Sequence, residues 1–253
     1  MTKPLTGVEP FLDAVFDRDP SGRTWLPALL DATPRGRAVL GELVDQPGSL
    51  EIALAVHGVN GRRATFDYLV PPPRELLAWF IDHPDELEWP EGAELSAETV
   101  TLRRALLNDD PAGSRARAQD RARERLATAP PLVPDWWRFE DVTRPDAVLA
   151  TDRLVVVVEG ARSDGELRPT SWYPARSRLL RVGEAAKQLA HGRPWATIVL
   201  SDEPLAEPAL DRGAPHLSEA EREELRDSYL GTLTFDEAAA AVGIPPPTAT
   251  LDS

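Results

Sequence analysis

The hydrophobic positions of this chain repeat mostly with a helical period, interrupted by two strand-like stretches. Val8 to Phe16 and Trp25 to Leu30 read as short apolar helices. Thr33-Pro34 sets an N-cap before a first-turn proline and predicts a helix to about Val44. Leu50 to Val56 and Ala64 to Val70 read as two strands, with Asn60-Gly61 as the turn signal between them. Pro71-Pro72-Pro73 ends that unit. Arg74 to Ile81 follows as an apolar-faced helix, and Ser96 caps another that runs to about Leu107, with Glu98 in its first turn. Ser114 to Thr128 is a heavily charged helix. Pro130, Pro131 and Pro134 then break the chain before Trp136 and Trp137.

From there the pattern turns to strands, at Trp137 to Val142, Asp146 to Ala150 and Leu154 to Gly160. A helix from about Pro174 to His191 and a strand from Trp195 to Leu200 come next. Helix, two or three strands, helix and strand in that order fit an α/β or α+β layer fold. Ser218 to Leu230 is an amphipathic acidic helix. Thr234 and Glu237 form a capping box before Ala238 to Val242, and Ile244 to Ser253 reads as a frayed tail.

Composition narrows the class. The 253 residues are 42% hydrophobic, enough for one large domain or two small ones and too apolar for a disordered chain. No apolar run approaches the ~20 residues that span a bilayer, so no membrane association is expected. Met-Thr-Lys-Pro-Leu lacks the apolar core of a secretion signal, which makes a cytoplasmic location the default expectation. The chain has no cysteine, so thiolate metal sites and cysteine nucleophiles are excluded. A formal net charge of −14 repels nucleic acid at long range, and binding it requires a local basic surface. Only Lys3 and Lys187 are lysines; every other cation is arginine, which restricts the choice of a catalytic ammonium.

The stretch from Arg144 to Arg162 carries the chemistry. Val155 to Val158 is apolar on both faces, as a central strand covered on both sides must be. With Asp152-Arg153 as a two-residue turn, Thr151 faces Leu154 and Asp146 lies opposite Glu159. Facing residues of an antiparallel pair have Cβ atoms about 4.5–5.5 Å apart. Two carboxylates that close repel unless a cation or a shared proton lies between them. A hard divalent ion such as Mg²⁺ is the natural bridge, able to orient a phosphate and to acidify a bound water.

Pro145-Asp146, with Glu159-x-Ala161 at the end of an apolar strand, resembles the signature of the PD-(D/E)xK nuclease superfamily. Thr170-Ser171-Trp172-Tyr173-Pro174-Ala175-Arg176, followed by a helix, resembles an uncharacterised bacterial branch of it. The resemblance implies a restriction-endonuclease-like α/β core over residues 113–203, a mixed central sheet flanked by helices. An N-terminal α+β extension (1–112) and C-terminal helices (204–253) would pack around it. It implies Asp146 and Glu159 as metal ligands, with the Gly160 carbonyl beside them, and Mg²⁺-dependent phosphodiester hydrolysis. The lysine that activates the attacking water maps to Ala161. Arg144, facing Ala161 in the same register, Arg162 and Lys187 are the conceivable substitutes, and Glu124 is the carboxylate that the first core helix would lend. The alternatives are a nuclease-fold protein without catalysis, acting as a binding or regulatory module, and an unrelated regulatory protein with a mixed sheet.

Arg115, Arg117, Arg121, Arg123 and Arg125, with Arg176, Arg178 and Arg181, form either a basic cleft for nucleic acid or a solvated face balanced by Asp120 and Glu124. Thr234 to Ile244 resembles the start of a helix-turn-helix, but Pro245-Pro246-Pro247 stands where a recognition helix belongs, so a packing helix is expected. His57, His83, His191 and His216 show no metal-ligand spacing, and His83 and His191 suit helix C-termini. Trp136, Trp137 and Trp172 read as core or cleft residues. Neither a phosphate-cradling glycine loop nor a G-x-S-x-G elbow is present.

Overall fold

The computed structural model describes residues 7–52, 69–90, 95–108, 113–161, 172–206, 210 and 212–246. Their frame is a five-stranded mixed sheet in the order β1-β2-β3-β4-β5: β1 (Leu50–Ile52), β2 (Ala147–Thr151), β3 (Val155–Ala161), β4 (Trp195–Ser201) and β5 (Tyr229–Thr234). The β1/β2 and β2/β3 pairs are antiparallel, whereas β3/β4 and β4/β5 are parallel. The protein is therefore of the α/β class. Val-rich β3 is buried along its whole length, which its unbroken apolar run requires.

Helices cover both faces. Beneath lie α1 (Val8–Arg18), α2 (Trp25–Ala32) and α9 (Phe235–Val242), whose Phe11, Leu12, Leu29 and Ala238 pack against Leu149, Val156, Val158 and Ile198. Above, α7 (Arg178–Ala190) sets Val182 and Ala186 on Val148, Val155 and Val157. Parallel β3 and β4 need such a crossover helix. Leu225 of α8 (Glu219–Ser228) joins Leu180 and Val199 on the same face. A separate helical group contains α4 (Arg74–Asp82), α5 (Ala97–Leu107) and α6 (Ser114–Thr128), and buries Leu76, Phe80 and Leu106 with Trp136, Trp137, Phe139 and Trp172. No helix among the described residues is long and apolar enough to cross a membrane.

Several elements depart from expectation. The helix expected over Thr33–Val44 is a short α3 (Gly36–Leu40) continued by a 3₁₀ turn. Thr33 does not cap it; it closes α2 instead, donating its hydroxyl (2.7 Å) and its amide (3.3 Å) to the Leu30 carbonyl. The helix expected from Pro174 starts at Arg178, where Ser177 accepts from the Leu180 amide. Of the first expected hairpin only Leu50–Ile52 is seen as a strand and Val70 forms one isolated bridge to Thr143; residues 53–68, with the Asn60-Gly61 turn, lie outside the described residues.

Trp137–Val142 is not a strand. Three of its carbonyls, and that of Trp136 just before it, accept from arginine side chains instead of a neighbouring strand: Arg103 donates to Trp136 and Arg138 (2.7 Å each), and Arg181 to Asp141 (2.8 Å) and Val142 (3.2 Å). Buried backbone acceptors need partners, and here guanidinium groups supply them. The predicted acidic helix stops at Ser228, because Tyr229–Thr234 leaves it directly as the edge strand β5. Two N-caps are as expected: Ser96 accepts from Thr99, and Thr234–Glu237 forms a full capping box; Ser218–Glu221 forms another before α8.

Candidate functional site

The β2/β3 hairpin has the register read from its turn: Ala147 faces Val158 and Ala150 faces Val155, so the next pair outward is Asp146 and Glu159. Even positions of β2 and odd positions of β3 face α7, as Val148, Val155 and Val157 do. Both acids therefore lie on the α7 side of the sheet, and both are buried, Glu159 completely. Their closeness is managed from within the chain. The Asp146 Oδ2 accepts from the Gly160 amide at 2.8 Å. Glu159 Oε1 forms an ion pair with Nε of Arg178, the first residue of α7. The same guanidinium donates to the Arg144 carbonyl at 3.2 Å, tying the hairpin's entry to the helix.

This donor set does not fit Mg²⁺ as it stands. A hard divalent ion wants several unengaged oxygens, yet one oxygen of each carboxylate already accepts from a protein donor. No group of three or more acids or histidines suited to a metal gathers among the described residues. The counter-charge beside Glu159 is the Arg178 guanidinium.

The other expected participants scatter. The Arg144 residue is exposed and contributes its carbonyl. Ala161 is fully buried among Leu179, Leu180 and Val199, in an apolar setting that suits alanine. Arg162 lies outside the described residues. Lys187 is nine residues beyond Arg178 on α7, about 13 Å along the helix axis, and pairs with Glu224 at 2.8 Å. It does not reach the acids. Glu124 is exposed on α6, a helix packed against α4 and α5 and not against the hairpin, so it does not join them either.

Most of the arginines expected to line a basic cleft are paired within the chain, whereas Arg117 and Arg121 lie exposed on α6. On α6, Arg115 pairs with Asp85, Arg123 with Asp82 and Asp120, and Arg125 with Asp135. Arg176 is wholly buried. It donates Nε to Glu140 Oε2 (2.5 Å) and Nη2 to Glu140 Oε1 (3.0 Å), and its other contacts are Glu184 and the Gly213 carbonyl (3.3 Å). Arg181 lies 3.6 Å from Glu140.

No family model, curated protein or solved structure matches the chain. The site therefore stands on its own geometry.

The Arg176 cluster is the part that sequence reading missed. Glu140, Glu184 and His216 come from an irregular segment, from α7 and from the turn before α8. His216 Nε2 is 3.1 Å from Glu184 Oε1. Burial raises the Glu184 carboxyl, but the Arg176 charge and the hydrogen bonds from His216 and Arg176 outweigh it and hold the group below its usual range. Arg176 behaves in the opposite sense: burial lowers its affinity for the proton, and the two carboxylates more than restore it. Burial depresses Arg181, with Glu140 opposing. One signal was available. Glu184 sits on the apolar face of α7 among Leu180, Val182 and Ala186, where a carboxylate demands a partner.

Gly213 closes the cluster. Its backbone is left-handed (φ +89°), and a Cβ there would come within 2.2 Å of the Ala175 carbonyl oxygen, so glycine alone lets the chain approach Arg176 this closely.

Proposed function

We propose that this chain is a restriction-endonuclease-like core that does not hydrolyse phosphodiesters and serves as a binding or regulatory module. The observation that carries this reading is the buried Arg178–Glu159 ion pair. The hairpin keeps the two facing acids that the PD-(D/E)xK resemblance implies. The counter-charge beside them belongs to the protein, and the position expected to hold a lysine is an alanine sealed in apolar packing. A guanidinium neutralises a carboxylate but is a poor proton shuttle, so the arrangement supports structure better than hydrolysis.

The test is cleavage of supercoiled plasmid and of single- and double-stranded DNA and RNA oligonucleotides in Mg²⁺, by the wild type and by Asp146→Ala. The expected result is no cleavage by the wild type above the variant's background. Mg²⁺-dependent cleavage that disappears in Asp146→Ala would overturn the reading and favour an active nuclease in which Arg178 releases Glu159.

A further inference from the structure

A cleft of about 400 Å³ opens between α5 and the irregular segment 134–141. Its volume falls within the range of small-molecule sites, roughly 300–1,000 Å³. Leu95, Leu102, Pro134 and Trp136 give it an apolar side. Arg103 also lines it, although the residue is only 6% exposed.

Protein groups hold this guanidinium in place but do not neutralise it. Its Nε donates to the Trp136 carbonyl and its Nη2 to the Arg138 carbonyl, at 2.7 Å each. Its central carbon lies 4.3 Å from the Trp172 ring centroid and 5.0 Å from that of Phe139, within cation–π range of both. No carboxylate forms an ion pair with it among the described residues. Burial pushes the group down to about 10, and the charge of Asp141 opposes that shift. The two carbonyls occupy the Nε–Nη2 edge. The far edge, made of Nη1 and the second N–H of Nη2, has no acceptor among the described residues, and Nη1 keeps accessible surface, unlike Nε of Arg138. A buried cation without a counter-ion calls for an anion, and a carboxylate matches the planar fork of that edge. Asp141 lines the same cleft without pairing with Arg103.

We propose that this cleft binds a zwitterionic α-amino acid with an apolar side chain. Its carboxylate takes the open edge of Arg103, its ammonium faces Asp141, and its side chain covers Leu95, Leu102 and Trp136. One carbon separates the two charges of such a molecule, so it can bridge a cation and an anion that lie near each other without pairing. A dianion such as phosphate fits less well, because Glu98 and Asp135 line the cleft along with Asp141. The inference does not rest on the fate of the Asp146–Glu159 pair, since neither residue lines the cleft.

The experiment is calorimetric titration of the full chain with L-leucine and with L-phenylalanine. Each is compared with its amide, which lacks the carboxylate, and with its deaminated acid, which lacks the ammonium. The expected result is saturable binding of at least one of the two amino acids, with both of its analogues weaker by about tenfold or more. Asp141 is exposed, so Asp141→Asn should fold; it should bind the amino acid and its deaminated acid equally and still reject the amide. Arg103→Lys keeps a charge but loses the fork, and should weaken amino-acid binding by about tenfold or more. No saturable binding of either amino acid up to ~10 mM, or equal binding of amino acid and amide by the wild type, would overturn the proposal. So would a preference over the deaminated acid that survives Asp141→Asn, or unchanged binding in Arg103→Lys. Should Arg103→Lys not fold, the wild-type comparison and Asp141→Asn decide alone.

Discussion

Two buried ionic sites flank the start of α7, with their arginines two residues apart in sequence. Arg178 pairs with Glu159 on the sheet, and its side chain is 27% exposed. Arg176 is 0% exposed and is held by Glu140 on one side and Glu184 on the other. At the first site water still reaches the guanidinium, and the hairpin's own backbone supplies the second donor, through Gly160. At the second, nothing but protein surrounds the charge. Two carboxylates, a backbone carbonyl and His216 complete the shell. The more enclosed guanidinium, that of Arg176, has all of its nitrogens engaged by Glu140, Glu184 and the Gly213 carbonyl, as a buried charge requires.

Substitutions that separate the sites sharpen this contrast. Arg176→Ala leaves Glu140 and Glu184 buried without their shared cation, and should cost about 3–5 kcal/mol in urea unfolding. Arg178→Ala also strands a buried carboxylate, but the site borders solvent, and a loss of about 1–3 kcal/mol is expected, measured the same way. A larger loss in Arg178→Ala than in Arg176→Ala would reverse the comparison.

The pH dependence follows from Glu184. Its carboxyl is held below the ordinary value of 4.5 in the folded state, so it binds protons more weakly there than when unfolded. The stability it contributes is fully present above about pH 4.5 and is lost as the pH falls further, through its folded value. The wild type should therefore be more stable than Glu184→Gln at neutral pH, and the gap in unfolding free energy should narrow below about pH 4.5. A gap independent of pH would remove Glu184 from the acid transition. The smallest effect is expected on α6, where Arg123 pairs with Asp82 and Asp120 in the open, side chains about half exposed or more. Arg123→Ala should change stability by less than ~1 kcal/mol.

How much of this was written in the sequence differs between the same two sites. The hairpin was legible because strand register is local arithmetic. A two-residue turn at Asp152-Arg153 and a period of two fix Asp146 against Glu159 with no further information. The partner was not, since Arg178 approaches from the next helix and competes with a metal on equal chemical terms. The Arg176 cluster was hidden altogether. It assembles from Glu140 in an irregular segment, Glu184 in mid-helix and His216 in a turn, and no spacing rule links such positions. The same cause produced the false strand at Trp137–Val142, whose alternating aromatics imitate a strand while arginine side chains take its carbonyls. Edge strand β5 was overlooked because Tyr229 follows Ser228 without a turn.

Titration with Mn²⁺, followed by calorimetry on the wild type, Asp146→Ala and Arg178→Ala, bears most directly on whether arginine has taken the place of a metal beside Asp146 and Glu159. The account predicts no saturable site in the wild type and none in Asp146→Ala, with weak binding appearing when Arg178 is removed and the carboxylates are left to attract a cation. A single saturable Mn²⁺ site in the wild type that vanishes in Asp146→Ala would contradict it.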